Sequence, residues 1–192
     1  MVIRKSVIFL IVVVLIAAVL FIVLKTQVFA QSKFKVFNLN NVYFSYPKNW
    51  SIVSYHYNAT SKLTFNALLL PTNLVSTLSY PNGSIRSLPN TTNFSEISII
   101  ILKNKSLSEL YPLYIFNYTY LVNNTVLDGY RGAAAVEEIN ASSLLPKSEA
   151  ISYISSGGGY GYSVGAFLTL GFNKSTYGAL TEIIKTFKYP LS

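Results

Sequence analysis

Residues 7 to 24 form an uninterrupted apolar run without one polar side chain, and no other stretch limits so strongly what the chain can become. As a helix, eighteen residues rise about 27 Å, close to the ~30 Å hydrocarbon core of a bilayer. A buried core helix is a poor alternative, because a helix apolar all round has no polar face to give to water. The expectation is a transmembrane helix that takes membrane lipid as its partner through Val7 to Leu24. Arg4 and Lys5 precede it, so the positive-inside rule places the N-terminus in the cytoplasm and the remainder outside. Lys25, Lys33 and Lys35 weaken this asymmetry without reversing it. Val28-Phe29-Ala30 offers the small residues read by signal peptidase, so secretion after cleavage following Ala30 is the alternative to a single-pass protein of the cell membrane. Length favours retention, since a signal core usually runs about 7 to 15 residues. The expected organisation is a signal-anchor over residues 1–30, a tether over 31–41, and an extracytoplasmic domain over 42–192.

The part beyond the first thirty residues is long enough for one domain that buries roughly 70% of its unfolded surface. The net charge is +8, but the lysines are scattered. A nucleic-acid binder shows a basic stripe with interleaved aromatics, so nucleic acid is not expected as a partner. Cysteine is absent, which removes disulfides, a thiol nucleophile and cysteine-type zinc sites. Packing must therefore come from the 15 Tyr and 12 Phe, whose large side chains dominate core contacts.

Asparagine is the informative polar residue. Ten of the sixteen head an Asn-x-Ser/Thr triplet, against about three from composition alone, the excess expected of an N-glycosylated surface protein. The candidates are Asn58, Asn82, Asn90, Asn93, Asn104, Asn117, Asn123 and Asn140. Asn49 and Asn173 complete the ten, and Asn173 is placed to cap a helix. In composition alone, the chain resembles an archaeal cell-surface protein.

Phe34 to Phe37 and Val42 to Tyr46 read as strands broken by Asn38-Leu39-Asn40-Asn41 and Pro47-Lys48-Asn49, with Trp50 as a core anchor. Ile52 to Tyr57 and Lys62 to Leu70 continue the pattern. Residues 71 to 95 are irregular, punctuated by Pro71, Pro81 and Pro89. Ile99-Ile100-Ile101-Leu102 marks a strand covered on both faces. Ser106 with Glu109 opens a helix expected over 107–121, which Pro112 kinks. Residues 123–127 and 133–139 form a hairpin around Asp128-Gly129. Residues 149–155 and 162–172 form another around the glycine-rich 156–161. Tyr177, Leu180, Ile183, Ile184 and Phe187 then repeat at helical spacing.

The resulting fold class is α+β, an antiparallel sheet covered by helices, with an all-β immunoglobulin-like sandwich as the alternative. The order of Val42-Tyr43-Phe44-Ser45-Tyr46-Pro47-Lys48-Asn49-Trp50, Ser106-Leu107-Ser108-Glu109-Leu110, Asp128-Gly129-Tyr130-Arg131-Gly132 and Ile183-Ile184-Lys185-Thr186-Phe187-Lys188 resembles the PsbP-like family. The resemblance covers residues 42–188 and implies an α/β/α sandwich, here in a membrane-anchored extracytoplasmic member. That family shares no common activity, so it transfers no site residue.

Gly161-Tyr162-Ser163-Val164-Gly165 matches the G-x-S-x-G pattern, but no histidine follows it and it opens an apolar strand, whereas a nucleophile elbow turns into a helix. Gly157-Gly158-Gly159-Tyr160-Gly161 fits neither a dinucleotide nor a P-loop pattern. His56 lacks neighbouring metal ligands. Glu137 and Glu138 are adjacent and point to opposite faces of a strand. No catalytic residue, metal or cofactor is expected. The functional expectation is a non-catalytic accessory or binding protein with a protein or glycan partner at the cell surface, its tools being tyrosine, the glycine tip at 157–161 and the 71–95 loop. The alternative is a secreted filament or surface-layer subunit that donates residues 34–37 as a strand to a neighbour.

Overall fold

Alternation of apolar and polar side chains governs most of the chain. It builds nine strands in the computed structural model, which describes residues 33–75, 94–114, 118–140, 147–169 and 173–189. They are β1 (Phe34–Leu39), β2 (Val42–Pro47), β3 (Trp50–Tyr57), β4 (Leu63–Pro71), β5 (Ser95–Lys103), β6 (Tyr120–Leu127), β7 (Tyr130–Ile139), β8 (Ser148–Gly157) and β9 (Tyr160–Thr169). Three helices accompany them: α1 (Thr72–Val75), α2 (Leu107–Tyr114) and α3 (Lys174–Thr186). The chain divides into compact units Met1–Lys35 and Val36–Ser192, and only residues 33–35 of the first are described.

β1 and β2 make a two-stranded sheet, and the other strands make a seven-stranded sheet in the order β3-β4-β5-β9-β8-β7-β6. Every pairing in the larger sheet is antiparallel. Turn chemistry fixes three of the hairpins. Asn40-Asn41, Asp128-Gly129 and Gly158-Gly159 each hold positive φ at both central residues, the conformation whose twist matches the flanking strands.

One face of the large sheet carries the main core. Ile97, Ile99 and Ile101 are fully buried and contribute roughly 1.5–3 kcal/mol each. Their even-numbered neighbours Ile100 and Leu102 are only half-buried, so β5 is less fully covered on its second face than four consecutive apolar residues imply. Trp50, Phe44, Phe65, Tyr162, Leu180 and Ile183 complete the core from β2, the sheet and α3. The end of α3 docks on β2: Tyr43 N–H donates to Lys188 O at 2.9 Å, Lys188 N–H to Tyr43 O at 2.8 Å, and Ser45 N–H to Thr186 Oγ1 at 2.8 Å. A smaller cluster on the other face joins Leu110 of α2 to Ala133, Ala135 and Ile154.

Three expectations need correction. The architecture is mostly β, and it is not the helix-covered α/β/α sandwich. The main core face is shared between the β1–β2 sheet and α3, and α2 closes at Tyr114, well short of residue 121. Pro112 removes the helical bond to the Ser108 carbonyl and weakens the helix from within, and Tyr120-Leu121-Val122 favours a strand. Among the described residues no helix is long and apolar enough to cross a membrane. That corrects the expected transmembrane helix and the single-pass placement built on it, with N-terminus inside and domain outside; residues 7–24 themselves lie outside the described residues. The expected tether holds β1, which pairs with β2. The irregular 71–95 stretch is described only at α1 and from Phe94 onward.

Candidate recognition surface at one end of the sheet

Antiparallel order brings the β3–β4, β5–α2, β6–β7 and β8–β9 connections to the same end of the large sheet. Backbone bonds tie these loops together. Lys103 N–H donates to Lys62 O at 2.8 Å, Asn104 N–H donates to Gly159 O at 2.7 Å, and Asn58 N–H donates to Thr64 O at 2.9 Å. The Asn58 side-chain oxygen accepts from Thr60 N–H at 3.0 Å and from the Thr60 hydroxyl at 2.8 Å, an Asx turn that shapes the β3–β4 loop.

The β5–α2 loop is held by Glu109. Its carboxylate accepts from Ser106 N–H at 2.9 Å, from Ser106 Oγ at 2.8 Å and from Lys105 Nζ at 2.9 Å. These bonds, the Ser106 backbone donor foremost, lower its carboxyl from the usual carboxylate range to about 2, since donors to the charged form stabilise it. α2 sits close on β9 because Gly161 leaves room: a Cβ there would lie 2.9 Å from Lys105 Cβ and 3.1 Å from the Leu110 methyls.

On the opposite face of the same end lies a tyrosine group. Tyr130 stacks on Tyr162 with ring centroids 5.9 Å apart, Tyr160 meets Tyr189 edge-on at 5.0 Å, and the Tyr162 hydroxyl donates to Gly157 O at 3.3 Å. Burial, then the charge of Asp128, pushes the Tyr162 hydroxyl well above its usual range. Burial raises the Asp128 carboxyl as well, against the lowering effect of the Tyr189 N–H and Lys188.

Three open cavities mark this end. One of about 430 Å³ is lined by Thr60, Lys62, Lys103, Asn104, Lys105 and Glu109. A second, about 370 Å³, shares Asn104, Lys105 and Glu109 and reaches Gly157 and Tyr160. A third, about 430 Å³, lies between Asp128 and Gly129 of the β6–β7 turn and Lys185 and Lys188 at the end of α3. The topology also separates charge. Lys62, Lys103, Lys105, Arg131, Lys185 and Lys188 stand at this end with Glu109 and Asp128, whereas Glu96, Glu137, Glu138 and Glu149 belong to the opposite end, where Lys48, Lys147 and Lys174 offset part of their charge.

Of the sequon asparagines, Asn58, Asn104, Asn123 and Asn140 are exposed, and Asn58 and Asn104 border the lysine-bearing end. Asn82, Asn90, Asn93 and Asn117 lie outside the described residues. Asn173 caps α3, its side-chain oxygen accepting from Ser175 N–H at 3.0 Å and Thr176 N–H at 3.4 Å. His56 is exposed on β3 opposite Asn66. Ser163 is buried inside β9, so the G-x-S-x-G stretch forms no strand-to-helix elbow.

Sequence reasoning missed one convergence. Glu138 and Glu149 are directly opposed in the β7–β8 register, and the Tyr177 hydroxyl donates to Glu149. Burial, then this bond, raises the Tyr177 hydroxyl. Local patterns give the two strands but not the register between them, because no tight turn links Ile139 to Ser148. Among the described residues no group of three or more His, Cys, Asp or Glu could hold a metal.

No family model matches the chain, and no curated protein matches it. Membership of the PsbP-like family is corrected on that ground. The motifs that carried the resemblance are general local signals: a strand ending in a proline turn, a cap, a hairpin turn and a helix end. Solved structures do align. A protein of Bacteroides thetaiotaomicron VPI-5482 has a TM-score of 0.49 and 12% identity over 83% of this chain and 50% of its own. A Mog1 point mutant has a TM-score of 0.49 and 10% identity over 81% of this chain and 95% of its own. The Saccharomyces cerevisiae Ran-binding protein Mog1p has a TM-score of 0.48 and 9% identity, with coverages of 81% and 95%. This chain spans about half the length of the Bacteroides protein. At these values neither fold nor function transfers from them.

Proposed function

We propose that the chain is a non-catalytic, N-glycosylated binding module that docks an acidic segment of a protein partner on the lysine-bearing end of its sheet. The observation that carries this reading is the charge bias along the strands, with six basic side chains against two carboxylates at the looped end and three lysines against four carboxylates at the other. Complementary charge steers encounter and fixes orientation more than it adds affinity. Each exposed Lys–carboxylate contact is worth roughly 0.2–1 kcal/mol, so several must act together.

Glu109 and Asp128 give the surface both signs. That suits a polypeptide better than a polyphosphate, whose uniform negative charge meets two carboxylates within the basic surface. The side-chain-sized cavities beside Lys62 and Lys188 fit the same partner. Catalysis is disfavoured at this end. General-base work needs a group with a pKa near working pH, and Glu109, beside the Ser106 hydroxyl, is held at about 2. The donated-strand filament is the less favoured reading, since β1 pairs with β2 within the chain.

Fluorescence anisotropy on the full chain in mild detergent tests the proposal, with a labelled Asp/Glu-rich peptide as probe. Expected are saturable binding, loss of affinity as salt rises through the ~10 Å screening range, and at least tenfold weakening in Lys62→Glu/Lys103→Glu. Binding unchanged by that double reversal, or stronger binding to a DNA oligonucleotide or to anionic vesicles, would overturn it.

A further inference from the structure

We infer that the asparagine at 123 carries a glycan whose role is to close the β6 edge of the sheet and keep copies of this chain from pairing through that strand. The inference rests on the glycosylation part of the proposed function and assigns one sequon a structural task.

β6 is the last strand of the seven and hydrogen-bonds only to β7. Among the described residues, nothing pairs with its outer side. A bare edge of this kind is a template for another strand, and natural proteins blunt it with lysine, proline, bulges or a cover. The strand reads Tyr-Leu-Val-Asn-Asn-Thr-Val-Leu, with no charge and no proline. Its large apolar side chains lie open to solvent: Tyr120 is 64% exposed, Val122 58% and Val126 56%, with Tyr118 just before the strand 50% exposed. β3, the other edge of this sheet, is equally neutral but exposes one large apolar side chain, Tyr55, which meets Phe37 of β1 edge-on, so β6 is the edge of the described sheet better suited to self-pairing.

One device is already present. The register with β7 breaks between Asn123 and Thr125, and Asn124 between them sits at φ 67. A single bulge leaves regular strand on both sides of it, Tyr120 to Val122 and Thr125 to Leu127. The sequon Asn123-Asn124-Thr125 occupies that break, in the middle of the edge. Asn123 is exposed, and its side-chain oxygen accepts from the Tyr111 hydroxyl of α2 at 3.2 Å. Glycosylation changes the amide nitrogen and leaves that oxygen an acceptor, so the Tyr111 contact survives it.

In the transfer step the Asn123 amide nitrogen bonds to the anomeric carbon of an oligosaccharide carried on a lipid phosphate. The sugar–phosphate C–O bond breaks, the amide loses one proton, and the lipid phosphate departs with the electron pair. A paired strand must approach to about 4.8 Å. An oligosaccharide rooted mid-strand on the α2 face sweeps over the edge on either side of the bulge and holds a second β6 away.

The test uses the full chain made in a glycosylating host and held in mild detergent. Glycopeptide mass spectrometry covers all ten sequons, positions 58 and 123 foremost, and light scattering gives the mass of wild type, Asn123→Gln, Thr125→Ala and Asn123→Gln/Val122→Lys. Expected are an occupied Asn123, a monomeric wild type, concentration-dependent association in both sequon variants, and return to monomer with the added lysine. The two single variants remove the glycan by different residues, so misfolding of one does not decide the outcome. An occupied Asn58 with a bare Asn123 overturns this inference and leaves the glycosylation reading standing; bare sequons throughout overturn both. An occupied Asn123 whose loss leaves the protein monomeric refutes the edge role alone.

Discussion

Leu110→Ala is the substitution that best probes how the recognition end is held. Leu110 is fully buried and is the side chain by which α2 grips the sheet, among Ala133, Ala135 and Ile154 and over Gly161. Removing three carbons forfeits about 2.4 kcal/mol at ~0.8 kcal/mol per buried methylene. A cavity term adds to this according to how far the site collapses, and measured Leu→Ala changes at buried sites fall at about 2–5 kcal/mol. The sheet side of the site is alanine and glycine backbone, which cannot move inward, with the Ile154 side chain beside it. α2 is only eight residues long with Pro112 inside it, so it settles partway into the gap. The expected loss is therefore about 3 kcal/mol, or roughly 6–12 °C in melting temperature for a unit of this size. Urea titration followed by circular dichroism measures it, with an unchanged slope showing that the denatured state is unaffected. A loss below about 1 kcal/mol would mean that α2 is not anchored through Leu110, and the positions of Lys105 and Glu109 would lose their structural basis.

Gly132→Ala places a Cβ 1.8 Å from the Ile154 carbonyl oxygen, a backbone atom that cannot swing away, so β7 and β8 must separate. Gly129→Ala meets nothing within 4 Å and suffers only from its φ of +78, a cost of about 1–2 kcal/mol; thermal melts showing Gly129→Ala to be the more damaging would contradict the β7–β8 register. For Glu109 the sign follows from a folded pKa of about 2 against roughly 4.3 in the unfolded chain. Its contribution is complete above the unfolded value and disappears as pH falls through about 2. Glu109→Gln is therefore expected to flatten the acid limb of stability between about pH 4.5 and 2, and an acid limb identical to wild type would show that the Ser106 and Lys105 bonds do not form.

The parts of the fold legible in the sequence are those set by neighbours. Asp128-Gly129 and the 157–161 glycines announce their hairpins because only a few residues accept positive φ, and the Leu180–Ile183–Phe187 spacing places α3. What stayed hidden depends on distant pairing. β5 lies beside β9 because Ile97, Ile99 and Ile101 share a buried face with Ala166, Val164 and Tyr162, a match that no local window contains. The extent of α2 was overestimated because a good cap at Ser106 says where a helix begins, whereas Pro112 and the strand preference of Tyr120 to Val122 decide where it ends. The candidate site was half legible. Each of Lys62, Lys103, Lys105 and Lys188 stands close to a chain reversal or an element end, which sequence shows. Their gathering at one end follows from sheet order, which it does not.

The central claim is that the lysine-bearing loops form the binding surface. The most direct test is an amide nitrogen–proton NMR titration of the full chain in mild detergent with the Asp/Glu-rich peptide. The account expects shifts that saturate together at residues 58–62, 103–109, 157–160 and 185–188, with those of β3 and of Glu137, Glu138 and Glu149 unmoved. Shifts centred on the Glu138–Glu149 end, or no shifts at millimolar peptide in low salt, would contradict it.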